Sequence, residues 1–157
     1  MKASQSGYAK TIHKSVLIWF SAQEMFDLVN DVARYPEFLP WCEHARVITE
    51  HDDGMTAEIG MALAGFRKSL VTRNVNQAGR QVHLTLVDGP FQRLDGTWDF
   101  HPLIDPNTQQ PQRACRVELH LNYSFESMFG RLVGPLFDKI ADTLVDAFVK
   151  RAQQIYP

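Results

Sequence analysis

The stretch from Met128 to Tyr156 constrains the fold more than any other part of the chain. Its apolar residues fall at Val133, Phe137, Ile140, Leu144, Phe148, Ala152 and Ile155, in steps of three and four. That period predicts an α-helix with one buried face, and Asp138, Asp142 and Asp146 are expected on the wet side. At 1.5 Å per residue such a helix reaches roughly 40 Å. A stripe this broad needs a partner of equal size, and the remaining sequence reads as a sheet that supplies it. Gly134-Pro135 predicts a kink near the helix start, because proline removes a backbone hydrogen bond.

Seven segments read as strands. Thr11 to Phe20 is rich in β-branched and aromatic residues. Ser21-Ala22-Gln23-Glu24 then has the serine-to-glutamate spacing of a capping box, so a short helix begins there and buries Met25, Phe26, Leu28 and Val29. Asp31 is expected to cap a second short turn that ends before Pro36. Cys42 to His51 is strand two, and Met55, Ala57, Ile59, Met61 and Leu63 alternate along strand three. Phe66 to Val75 is strand four, with poor alternation. Val82 to Leu86 is strand five, and Leu94, Trp98 and Phe100 mark the buried face of strand six. Leu103 to Gln112 reads as a polar loop. Cys115 to Phe125 alternates strictly, as a strand with one wet face does. Strands in hairpin series followed by a helix give an α+β fold: a seven-stranded antiparallel sheet, curled around the terminal helix, with two short helices after the first strand.

A chain of 157 residues is expected to form one domain, residues 1–157, large enough for a continuous core. The net charge of −2 gives no global attraction to DNA or to anionic membrane. Cys42 and Cys115 are too few for a disulfide scaffold and read as reduced thiols. The first residues, MKASQSGYAKT, lack an apolar leader, and no apolar run could span a bilayer. A cytoplasmic protein with at most peripheral membrane contact is expected.

Function turns on whether the space under the helix is full or hollow. One reading is a dry, filled core. The other is an apolar cavity closed by Tyr35-Pro36-Glu37-Phe38-Leu39-Pro40-Trp41-Cys42, whose prolines forbid regular structure and whose aromatics need an apolar surface. On the hollow reading Tyr35, Phe38, Leu39 and Trp41 form the lid. Met61, Leu70, Leu84, Leu86, Phe91, Leu94 and Trp98 form the sheet wall, and Phe137, Ile140 and Leu144 the helical wall. Lys68, Thr72 and Arg73 are candidates to meet a ligand's polar head. Nothing in the sequence marks catalysis: there is no glycine-rich phosphate loop, no H-E-x-x-H and no C-x-x-C. The six histidines show no metal-ligand spacing along the chain, so no metal is expected. Arg67, Lys68, Arg73 and Arg80 are the one basic grouping that could meet phosphates.

The segments Asn30-Asp31-Val32 with Tyr35 to Cys42, Thr72-Arg73-Asn74, and Leu86-Val87-Asp88-Gly89-Pro90-Phe91 followed by Leu94, Gly96, Trp98 and Phe100 resemble the RatA ribosome-association toxin family. That family is grouped with the coenzyme Q-binding proteins of the START-like superfamily of polyketide cyclases and lipid transporters. The resemblance runs from about Ile12 to Tyr156. Trp19 stands where the family's proline is expected, which touches only the strand–helix corner. The resemblance implies the helix-grip (Bet v 1-like) fold and an internal cavity, with no required cofactor and no catalytic residues. It also implies two binding roles. One is to hold ubiquinone or a similar isoprenoid lipid, as in mitochondrial relatives that support respiration. The other is to bind the large ribosomal subunit and block its joining to the small one. A cyclase-type enzyme is a third role, resting on fold analogy alone.

Overall fold

The computed structural model describes residues 8–157. The reading of the N-terminus as lacking a leader falls on residues 1–7, outside the described residues. Strand β1 (Tyr8–Ile18) leads into helix α1 (Ala22–Asn30) and a 3-10 turn over Val32–Glu37. Six strands follow: β2 (Cys42–His51), β3 (Gly54–Leu63), β4 (Phe66–Gln77), β5 (Gln81–Asp88), β6 (Phe91–Ile104) and β7 (Pro111–Phe125). Helix α2 (Ser127–Ile155) closes the fold. The strands form one sheet in the order β1-β7-β6-β5-β4-β3-β2, and every neighbouring pair is antiparallel. This is the curved, seven-stranded grip expected from the alternation.

Several boundaries move for physical reasons. Trp19 and Phe20 leave β1 and form a bend, and Trp19 lies exposed at the corner. The second turn runs through Pro36, and the Asp31 side chain does not cap it. The polar loop shrinks to residues 105–110, because β6 extends to Ile104 and β7 begins at Pro111. Proline is tolerated there because the first residue of a strand need not donate to the ladder. Helix α2 runs from Ser127 to Ile155 with Pro135 inside it.

The buried stripe of α2 is Val133, Phe137, Ala141, Val145, Phe148 and Ala152. It is rotated slightly from the expected one. Ile140 and Leu144 sit half-buried on its shoulder, and Ile155 is exposed. Asp138, expected in water, accepts a hydrogen bond from the Tyr123 hydroxyl and lies 3.7 Å from Lys10 Nζ. Gly96 marks a close approach within the sheet: a Cβ there would lie 2.6 Å from the His120 carbonyl oxygen.

Helix α1 is tied to the sheet by charge. Ser21 and Glu24 complete the capping box, with the Ser21 hydroxyl accepting from the Glu24 N–H at 3.0 Å and Glu24 accepting from the Ser21 N–H at 2.8 Å. The Arg113 guanidinium of β7 donates to both Glu24 oxygens, at 3.0 and 2.8 Å, and to the Pro157 carbonyl. Arg113, with help from Ser21, holds the Glu24 carboxyl down at about 2. A depressed carboxyl pKa stabilises the fold above the ordinary value of 4.5, and that contribution is lost as pH falls toward 2. Glu24→Gln is expected to cost about 1–2 kcal/mol near neutral pH and to reduce the loss of Tm on acidification, measured by thermal melts across that window. Equal acid sensitivity in the variant and the parent would contradict this account.

Candidate functional site

The apolar interior is built as two cores at opposite ends of α2. The first gathers α1, the Tyr35–Trp41 strap, Trp98, Phe100 and the C-terminal half of α2, with Phe148 at its centre. Phe148 meets Tyr35, Phe38 and Trp98 edge-on, at ring-centroid distances of 5.3, 5.1 and 5.1 Å. The second gathers Phe91, Tyr123, Phe125 and Phe137 under the N-terminal half of α2. Between them lies a cavity of about 100 Å³, partly open to solvent. The interior is therefore filled at both ends and hollow in the middle. A dry cavity of ~150 Å³ accepts benzene, so this space is on the scale of one ring rather than a long chain.

Most of the expected wall is in place. Tyr35, Leu39 and Trp41 line the cavity from the strap, and Met61, Leu70, Leu84, Leu94 and Trp98 from the sheet. Phe137, Ile140 and Leu144 line it from α2, and Thr72 supplies a hydroxyl. Ile140 and Leu144 are half-buried because they border this hollow rather than packed side chains.

Three expected wall residues and two expected head-group contacts lie elsewhere. Phe38 turns to the outer side of the strap, where it packs on Phe148 under the Arg151 guanidinium, 5.1 Å from its ring centre. Phe91 is consumed by the second core, stacked on Phe125 at 4.6 Å. Leu86 packs against the edge of that core and does not line the cavity. Lys68 shares the inner face of β4 with Leu70 but sits at the strand's exposed end. Arg73 points to the other face, where it pairs with Asp53. The basic grouping disperses for the same reason: Arg67 pairs with Glu43, and Arg80 lies beyond the far end of β4.

Asn74 is a wall residue that alternation alone did not single out, although it lies two positions after Thr72 on the same face. The Thr72 hydroxyl donates to Asn74 Oδ1 at 2.8 Å, with both residues buried. The cavity thus has one polar spot on an apolar wall, the usual composition of a site that orients a small molecule. The Tyr35 hydroxyl is spent on the Val29 carbonyl, and burial pushes its pKa up. Among the described residues the wall carries no carboxylate, imidazole, thiol or amine. Burial raises both thiols, Cys42 and Cys115, to about 11, which keeps them protonated and poor nucleophiles.

A profile of the family described as polyketide cyclase/dehydrase and lipid transport matches residues 18–149. The chain belongs to that family. Over 148 residues it is 41% identical to the ribosome association toxin RatA of Vibrio cholerae, covering 94% of this chain and 98% of the relative. It is 30% identical over 151 residues to the mitochondrial coenzyme Q-binding protein COQ10 homolog B of Xenopus laevis, covering 91% of this chain and 58% of that one. Among solved structures, the Zhui aromatase/cyclase of Streptomyces superposes with a TM-score of 0.73 at 14% identity, over 94% of this chain and 95% of that one. At that identity the likeness speaks for the START-like fold alone. No helix among the described residues is long and apolar enough to cross a membrane.

Proposed function

We propose that this family member acts by associating with the ribosome, binding the large subunit and opposing its union with the small one. The observation that carries the reading is identity near 40% with proteins named for ribosome association, end to end along both chains. The coenzyme Q-binding relative is more distant, and over half of its length is matched rather than all of it. The reading therefore ranks ribosome association above a carrier role. It is a binding role, and it needs no catalytic group. With a net charge of −2, contact with rRNA has to be local. Arg46, Arg67 and Arg73 are neutralised by Glu58, Glu43 and Asp53. Lys68, Arg80, Arg131, Lys139 and Lys150 are exposed and make no ion pair among the described residues, which leaves them to meet phosphate. Purified protein added to whole ribosomes is expected to co-sediment with the large subunit and to raise the fraction of free subunits on sucrose gradients. Raising the salt should weaken this. Sedimentation only at the top of the gradient at low salt would rule the reading out.

A second reading is favoured by the hollow itself. An apolar cavity with the Thr72–Asn74 pair on its wall suits a ring that carries a polar substituent, such as a quinone head. At about 100 Å³ it holds the ring alone. A polyisoprenoid tail has to leave through the open side or displace α2.

A further inference from the structure

The outer face of the sheet gathers imidazoles that lie far apart along the chain. In the β1–β7 ladder His13 pairs directly with His120, and Glu118 lies two residues earlier on β7, on the same face. Their neighbours Ile12, Val117, Leu119 and Leu121 point into the core, which turns these three outward. His13 Nε2 lies 2.6 Å and His120 Nε2 3.3 Å from Glu118 Oε2. The other oxygen, Oε1, is held from the opposite side by His101 Nε2 of β6 at 3.0 Å and by Arg116 at 3.2 Å. The carboxylate is thus clamped through one oxygen and offers the second to two imidazole nitrogens.

We propose that His13, Glu118 and His120 form a binding site for a divalent transition metal of the zinc type. The three donor atoms lie within 4.8 Å of one another. Two imidazole nitrogens and one carboxylate oxygen suit zinc, nickel or copper and do not suit magnesium or calcium, which take oxygen shells. Three protein ligands leave one coordination position for water or an external donor. His101 and Arg116 act as positioning residues through Oε1, the role that outer-shell partners play around metal-bound carboxylates.

Two features set the strength of the site. The His13 and His120 rings are stacked, with centroids 4.0 Å apart and planes 16° apart, so they must tilt for both lone pairs to converge. Their side chains are 53% and 45% exposed, which leaves them room to turn. The Arg116 charge opposes a second cation. Affinity should fall below that of a closed four-ligand structural site. Bound metal would stitch β1, at one edge of the sheet, to β7.

The test uses the full chain without a polyhistidine tag, cleared of metal by chelation and titrated with zinc by calorimetry and with cobalt by absorbance. One equivalent is expected to bind, releasing protons. Tm should rise by about 5 °C at a hundredfold excess over Kd. His13→Ala or His120→Ala should weaken binding by more than about 100-fold, and His101→Ala by about 10-fold without moving the cobalt bands. Control variants at the exposed His51 and His83 should bind as the parent does. Unsaturable uptake, or unchanged affinity in the His13→Ala/His120→Ala double variant, would overturn the proposal. Should a variant fail to fold, imidazole resonances of the wild-type protein decide. Selective zinc-induced shifts of His13 and His120 support the site, and shifts of every histidine or of none refute it.

Discussion

Ala141→Phe is expected to abolish uptake of an apolar ring compound while leaving ribosome association at the parent level. Ala141 is buried on the face of α2 that looks into the hollow between the two cores. The added phenyl ring matches a space of about 100 Å³, so it should occupy the hollow instead of forcing the helix outward. Overpacking a full core costs about 1–3 kcal/mol, and the cost here should fall at or below the low end. Titration with a short-tailed ubiquinone homologue, read by tryptophan fluorescence, should show at least a 100-fold loss, with Trp41 and Trp98 as reporters in the wall. Undiminished uptake would move the ligand out of this cavity. Loss of ribosome association in the same variant would mean that the two roles share a site. Retention would mean that the outer surface carries one role and the interior the other.

The architecture was legible because it rests on periodicity. The strict alternation of Cys115 to Phe125 and the three-four spacing after Val133 each specify an element and its buried face. The order from β2 to β7 then follows from short hairpin connections, whereas β1 joins β7 by a pairing across the length of the chain. The cavity was legible only in part, because it is a gap between packed clusters and not a property of any single strand. Phe38 and Phe91 carry the same apolar signal as Leu39 and Leu94, yet ring packing draws them away to Phe148 and Phe125. Whether Ile140 or Ala141 faces the deepest point depends on a helix rotation of less than one residue, which a hydropathy pattern does not resolve. Asn74 is a polar residue in a segment of weak alternation, and its burial became visible only through its bond to Thr72. The histidines were illegible for a different reason. His13 and His120 become neighbours through a strand pairing that spans most of the chain, so no local spacing could announce them.

Phe148→Ala should be the most destabilising single truncation in the strap region, with a loss of about 3–5 kcal/mol and a fall in Tm of about 10 °C. The ring is almost wholly buried, lines the cavity and is the point where three elements meet: α2, the strap through Tyr35 and Phe38, and β6 through Trp98. Removing it takes away three edge-to-face ring contacts as well as buried area, and each such contact is worth roughly 0.5–1.5 kcal/mol beyond burial. The surroundings cannot collapse into the void, because Tyr35 is pinned by its hydroxyl to Val29 and Trp98 sits in the middle of the sheet. The void would also merge with the neighbouring hollow and enlarge it. Phe148→Ala should therefore lower stability while admitting a bulkier ring than the parent accepts, the reverse of Ala141→Phe. Ile155→Ala, at an exposed position on the same helix, should stay within about 0.5 kcal/mol of the parent. Chemical denaturation of the three proteins separates these expectations. A loss below about 1 kcal/mol for Phe148→Ala would mean that the strap is held by its link from Arg151 to Glu37 and not by the aromatic cluster.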